Sequence, residues 1–224
     1  MDMRRGILFF TLFSIVFIGI LILPPMSENR QDRLAAAANA DSLFVQYSAL
    51  KLNNRLPYPV FARAVKGLDQ FHFNNKKVLT IIDYSRPSTE KRLFVLDLSQ
   101  NKVLFESLVA HGKNSGMDYA TQFSNKPQSL KSSPGFYATA ETYQGKHGYS
   151  LRLDGLEKGV NDHARQRAIV MHSAAYVSEQ FIQSTGRLGR SWGCPALPDK
   201  LNKDIIDCIK NGTCLYIYTN ATTA

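Results

Sequence analysis

Gly186-Arg187-Leu188-Gly189-Arg190-Ser191-Trp192-Gly193-Cys194-Pro195-Ala196-Leu197 is a glycine-rich, basic loop that ends on a cysteine. It follows an apolar run, Ala168-Ile169-Val170-Met171, that ends on His172 and Ser173. Positive charge beside a thiol favours the thiolate, so Arg187 and Arg190 mark Cys194 as a candidate nucleophile. A purely structural turn needs the glycines but has no use for both arginines and Trp192. Pro195 pushes the residue before it toward extended geometry, which places Cys194 at a bend. Proline has no N–H, so an oxyanion hole here must draw on the amides of Gly193, Cys194 or a neighbour. Gly193 also lets the backbone approach a substrate closely.

A cysteine nucleophile needs a base. Two histidines end apolar strands: His172, and His111 in Val109-Ala110-His111-Gly112. His72, His147 and His163 stand in polar or irregular contexts. A strand end is a rigid mount for a base, but position alone does not choose between His172 and His111.

Outward from this pair the pattern is mostly that of a β protein. Apolar residues at helical spacing predict short helices over 41–53 (Leu43, Phe44, Tyr47, Leu50) and 59–71 (Val60, Phe61, Ala64, Val65, Leu68). From residue 76 the runs 78–84, 92–98 and 103–110 read as strands. Ser99-Gln100-Asn101-Lys102 supplies a hairpin turn in which Asn provides the positive φ. Segment 112–133 lacks periodicity and is long enough to expect a functional loop. Further strands are predicted at 135–142, 150–153, 167–172 and 214–219. Helices are predicted at 175–184 and 198–210, the latter with Pro198 near its first turn and Leu201, Ile205, Ile206 and Ile209 on one face.

The N-terminus reads as an export signal: Arg4-Arg5, then an uncharged apolar run from 6 to 23, then Pro24-Pro25. Eighteen residues at ~1.5 Å each reach roughly 27 Å, close to a ~30 Å hydrocarbon core, and the good small-x-small site, Ala38-Asn39-Ala40, lies far downstream. A signal peptide or an uncleaved inner-membrane anchor is therefore expected over 1–40, and either delivers the rest outward, to the periplasm or the outer face of the membrane. The net charge is +9, and residues 1–40 add little to it, with Arg4, Arg5, Arg30 and Arg33 set against Asp2, Glu28 and Asp32. So basic an exported domain suits an anionic cell wall; nucleic acid is not expected, because the chain has no long basic block and no RNA-binding aromatic signature. Cys208 and Cys214 flank a turn at Asn211-Gly212 and are read either as a disulfide pair or as two buried thiols.

His-Ser, a variable stretch, then Ser-x-Gly-Cys resembles the signature of the L,D-transpeptidase (YkuD-like) family, in its murein L,D-transpeptidase catalytic-domain branch. The resemblance extends to Ser88-Thr89-Glu90-Lys91-Arg92-Leu93 and to Tyr143-Gln144-Gly145-Lys146-His147-Gly148, and so covers about residues 76–219. It implies a mainly β fold, a mixed β-sandwich with a few short helices, preceded by a short helical N-terminal region. The implied division is 1–40 targeting segment, 41–75 helical lead-in and 76–219 catalytic domain.

The resemblance also selects His172 as base to Cys194, with Ser173 positioning its ring. Substrate and oxyanion contacts are expected from Gly193, Trp192, Ser191, Arg190 and Arg187. The implied substrate is the stem peptide of peptidoglycan, cut after its third residue with release of D-alanine. Two departures stand out. Trp192 sits where the broader family has histidine, and His172 and Cys194 are 22 residues apart, which suggests an enlarged loop over the site. Neither cofactor nor metal is expected, since the cysteines and histidines show no paired-ligand spacing. A papain-like enzyme would place its cysteine before its histidine, the reverse of the order here. An L,D-carboxypeptidase with the same pair, or an envelope-binding protein without catalysis, are the competing readings.

Overall fold

The computed structural model describes residues 30–221, with side chains from residue 38 onward. The apolar run 6–23 lies outside the described residues, and among those described no helix is long and apolar enough to cross a membrane. The chain divides into two compact units at Ala38 and Asn39, and every strand belongs to the second.

Helices α1 (Arg30–Ala49) and α2 (Tyr58–Gln70) come first. The helix expected at 41–53 is the end of the longer α1, and the chain leaves it through Lys51 and Asn54, both at positive φ (53° and 62°). The prolines at 57 and 59 suit the start of α2, where a missing N–H costs no helical hydrogen bond. Eight strands follow: β1 (Asn75–Asp83), β2 (Leu93–Asp97), β3 (Lys102–Ser107), β4 (Gly135–Gly145), β5 (Gly148–Gly155), β6 (Val170–Ser173), β7 (Ala196–Leu197) and β8 (Thr213–Tyr218). They form a mixed sheet in the order β3-β2-β1-β8-β4-β5-β6-β7. β1 pairs in parallel with β8, and β6 with β7; the other neighbours are antiparallel. Helices α3 (Glu179–Thr185) and α4 (Asp199–Ile209) complete this mainly β fold.

The central strands alternate as a two-sided sheet requires. Leu79 and Ile81 of β1, Phe94 and Leu96 of β2, and Cys214 and Tyr216 of β8 face α2. Ile82, Leu93, Val95, Leu215 and Ile217 point the other way, into a core with Ile205, Ile206 and Ile209 of α4. At about 1.5–3 kcal/mol per buried side chain, this double burial holds the sheet between its helices. Cys214 thus belongs to one core while Cys208 packs against the other, and all three cysteines are free. The two-thiol reading holds and the disulfide is not made.

The β2–β3 turn forms as expected, with Asn101 at φ 51° and the Asp97 carboxylate accepting from the amides of Ser99 and Gln100, both at 2.9 Å. β6 begins at Val170 and not at 167, because Ala168 takes a left-handed φ of 54° that no strand continues through. β7, only two residues long, carries no periodicity and was not predicted.

α2 lies so near β4 that a Cβ on Gly67 would stand 2.0 Å from Phe136 Cε1. Gly67→Ala gains about 1 kcal/mol of helix propensity but adds overpacking of about 1–3 kcal/mol. Urea unfolding is expected to show a net loss of roughly 1 kcal/mol, partly recovered when Phe136→Leu is added.

Candidate active site

The shortest pairing in the sheet brings the Cys194 loop to the strand that carries His172. β6 and β7 run parallel with His172 opposite Ala196 and Ser173 opposite Leu197. Ala196 is also bridged to Ala110, whose N–H donates to the Ala196 carbonyl at 2.9 Å. Cys194 therefore sits just before β7, beside the start of β6. Its half-buried Sγ accepts from the Val170 N–H at 3.4 Å and lies 3.7 Å from the Ala168 carbonyl oxygen. Val170 and His172 are two apart in one strand, so their side chains leave the same face.

His172 is 4% exposed. Its Nδ1 lies 2.8 Å from the Ser173 carbonyl oxygen, and since a carbonyl only accepts, Nδ1 carries the proton and Nε2 holds the free lone pair. It is the backbone of Ser173, not its hydroxyl, that makes this contact. The His147 ring stacks on that of His172, its centroid 4.5 Å away with 25° between planes. Burial lowers the His172 pKa, the Ser173 carbonyl raises it, and His147 lowers it. Burial likewise raises the Cys194 pKa, against the Val170 N–H and Arg167, which lower it. Both groups are thus held toward their neutral forms at rest.

His111, the other histidine at a strand end, is fully buried. Its Nδ1 is 2.8 Å from Arg92 Nη2, and burial together with Arg92 pushes its pKa down to about 3. It serves as an acceptor for a buried arginine that also donates from Nε and Nη2 to the Val109 carbonyl, at 3.1 and 2.8 Å, and from Nη1 to the Arg86 carbonyl at 2.8 Å.

The cysteine loop is held from below. Gly193, at φ 127°, leaves no room for a side chain, since a Cβ would meet the Lys131 carbonyl at 2.8 Å. Ser132 Oγ donates to the Gly193 carbonyl at 3.0 Å and accepts from the Gly112 N–H at 3.0 Å, so the irregular segment 112–133 is the loop's scaffold. Ser191 Oγ donates to the Cys194 carbonyl at 2.6 Å and accepts from the Gly193 N–H at 3.0 Å. The Gly193 amide is therefore engaged, whereas the Cys194 N–H makes no hydrogen bond to another residue among those described. Trp192 is 72% exposed, with Lys146 Nζ 5.8 Å from its ring centroid. A cavity of about 630 Å³ lined by Lys91, Leu108, Val177, Pro198 and Leu201 touches neither Cys194 nor His172.

The two arginines that flank Cys194 in sequence do not set its charge. Arg187 donates from Nη1 to the Leu188 carbonyl at 2.7 Å. Arg190 Nη1 reaches the carbonyls of Lys113 and Gly116, at 3.1 and 3.0 Å. The cation that acts on the thiol is Arg167, which sequence reasoning passed over as the start of a strand. Its guanidinium is gripped by neutral groups alone: the Ser124 and Lys131 carbonyls at 2.8 and 2.6 Å, and the Ser133 and Ser129 hydroxyls at 2.5 and 3.2 Å. Its Nη2 comes within 3.5 Å of where a Gly193 Cβ would stand. Nothing in the sequence around Arg167 marks it, and only the fold shows where that arginine points.

A family model described as the L,D-transpeptidase catalytic domain matches residues 52–218. No curated protein matches the chain by sequence. Among solved structures it is similar to an L,D-transpeptidase from Mycobacterium smegmatis, at 14% identity over 64% of this chain and 59% of that one, with a TM-score of 0.39. It is also similar to the helical cell shape determining protein Pgp2 from Campylobacter jejuni (12%, 67% and 50%, TM-score 0.44). A third is an L,D-transpeptidase (Yku) from Stackebrandtia nassauensis (18%, 73% and 66%, TM-score 0.38). The chain spans 59% and 50% of the length of the first two of these.

If Arg167 lowers the thiol pKa through its charge, Arg167→Gln raises it and slows iodoacetamide alkylation near neutral pH several-fold. Arg167→Lys keeps most of the rate. Equal pH profiles for wild type and Arg167→Gln would show that the arginine is only a staple for the loop.

Proposed function

Because the chain belongs to the L,D-transpeptidase catalytic-domain family, by its match over residues 52–218, we propose that it is a peptidoglycan L,D-transpeptidase with Cys194 as nucleophile and His172 as base. The observation that carries this reading is the β6–β7 pairing, which sets the thiol beside the strand of a buried, neutral histidine whose Nε2 is free.

The chemistry follows from those atoms. Cys194 Sγ attacks the carbonyl after the third residue of a tetrapeptide stem, and its proton passes to His172 Nε2. At rest Sγ contacts the Val170 N–H and the Ala168 carbonyl, and in this reading the Sγ–Nε2 hydrogen bond forms only when substrate is bound. The oxyanion draws on the Cys194 N–H. As the C–N bond breaks, the leaving D-alanine amine takes the proton from His172 and a thioester remains. An acceptor amine then attacks the thioester while His172 removes its proton, and the thiol is regenerated. A thiol and an imidazole both held neutral suit this sequence, because the proton moves only as the C–S bond forms.

Arg187 and Arg190 fit a second role. Each uses only Nη1 within the described residues, and on neutral acceptors, so the rest of each planar fork is open to a substrate carboxylate. The basic charge of +9 favours an anionic wall, and we place the domain outside the cytoplasmic membrane, delivered by the segment 6–23.

Mass spectrometry of the full chain incubated with a tetrapeptide muropeptide tests the reading. A cross-linked dimer through the third stem residue is expected, and Cys194→Ala abolishes it. Loss of D-alanine without a dimer means a carboxypeptidase, and no change at all means an envelope-binding protein. Arg187→Gln is expected to raise KM about tenfold with little change in thiol alkylation, as loss of one charged hydrogen bond predicts; an unchanged KM would remove the carboxylate role.

A further inference from the structure

β4 and β5 are joined by a two-residue tip, Lys146-His147, closed by the pair Gly145–Gly148 with Gly148 at φ 73°. Both tip side chains reach into the candidate site. Lys146 lies over the indole of Trp192, two residues before Cys194, and His147 lies on the ring of His172. The tip is anchored close to its end. Tyr149, the residue after Gly148, donates from its hydroxyl to Asp207 Oδ1 at 2.7 Å, and its carbonyl accepts from Asn202 Nδ2 at 2.7 Å, both on α4. On the other strand Tyr143 carries the Arg152 guanidinium 4.6 Å from its ring centroid. The placement of His147 is thereby tied to the main core through α4.

A histidine ring turns about one bond, and two constraints are needed to stop it. The Ser173 carbonyl fixes one edge of His172 through Nδ1. A flat ring stacked on its face removes the remaining freedom and keeps water off that face. Resting on the assignment of His172 as base, we propose that His147 is a positioning residue, whose ring the hairpin tip lays on His172 so that its Nε2 stays free for the Cys194 proton. What the site needs from residue 147 is a flat ring, and any planar aromatic side chain supplies it. An aliphatic one does not. The titratable and charged groups of this region are Lys146 and His147 on the tip, Cys194 beside the start of β6, and Arg167, Tyr84 and Tyr176, which act on or feel the thiol.

The test compares His147→Ala and His147→Phe with wild type in the full chain held in detergent, with thermal unfolding as the check on folding. Imidazole NMR follows the His172 titration without any substrate. In His147→Ala the ring gains water and loses the neighbour that lowers its pKa, so its midpoint rises and the acid limb of the kcat profile moves up with it. Near pH 6, kcat falls about tenfold while KM stays within about twofold. His147→Phe restores kcat to within about twofold of wild type. The inference is overturned if the His172 midpoint does not move in His147→Ala, if the loss falls on KM, or if Phe is as poor as Ala. A shifted midpoint in a chain that turns over no muropeptide would sink the transpeptidase reading and leave the positioning role standing.

Discussion

Four backbone positions carry the candidate site: His172 against Ala196 and Ser173 against Leu197, in parallel. Everything chemical in the molecule depends on that short ladder. It closes a gap of 22 residues and delivers a thiol from one loop to the strand of a histidine. A two-residue strand cannot hold itself, so the fold supports it on both sides. Ala110 bridges to Ala196 on one flank, and the Ala174 N–H donates to the Leu197 carbonyl at 2.9 Å beyond the end of β6. Parallel pairs need long crossovers, and here the crossover holds α3 and the arginine-rich turn, so the loop that bears the nucleophile is itself the connection.

The region around the ladder is rich in cations that have no carboxylate. Arg92 is wholly buried, its charge met by two carbonyls, the nitrogen of His111 and the face of Tyr84, whose centroid is 4.9 Å away. Arg167 is held by carbonyls and hydroxyls alone. Desolvating a guanidinium costs several kcal/mol, and neutral dipoles recover part of that without cancelling the field. The field of Arg167 remains to act on Cys194, while Arg92 spends its own on keeping His111 neutral. Two similar arginines thus do different things. One organises the strand that flanks the site, and the other biases the thiol.

Strain gathers at the same place. Ala168 holds a left-handed φ of 54° one residue from the strand that presents His172, at a cost of about 1–2 kcal/mol for a residue with a Cβ. That turn points the Ala168 carbonyl toward Cys194 Sγ and starts β6 late, at Val170. Gly193 at φ 127° does the equivalent on the other side of the thiol, where a side chain has no room.

The sequence by itself determined most of the pattern of elements and marked Cys194 with two candidate bases, His172 and His111. Alternation in β1, β2 and β8 and the apolar faces of α2 and α4 were legible because burial on one side of a strand or helix repeats with a fixed period. Cys194 and the hairpin at Asn101 were legible from the residues around them, whereas His172 was preferred to His111 only through the family resemblance. Tertiary structure alone decided which neighbours act. Arg187 and Arg190 precede Cys194 closely in sequence yet bond to the Leu188, Lys113 and Gly116 carbonyls, whereas Arg167 and His147 come from distant loops. That the Gly193 amide is bonded to Ser191 Oγ, and that the Ser173 carbonyl and not its hydroxyl meets His172, also came from the fold. The reason is physical: charge and hydrogen bonding act through space over a few ångströms, and chain order sets those distances only within a single helix or strand.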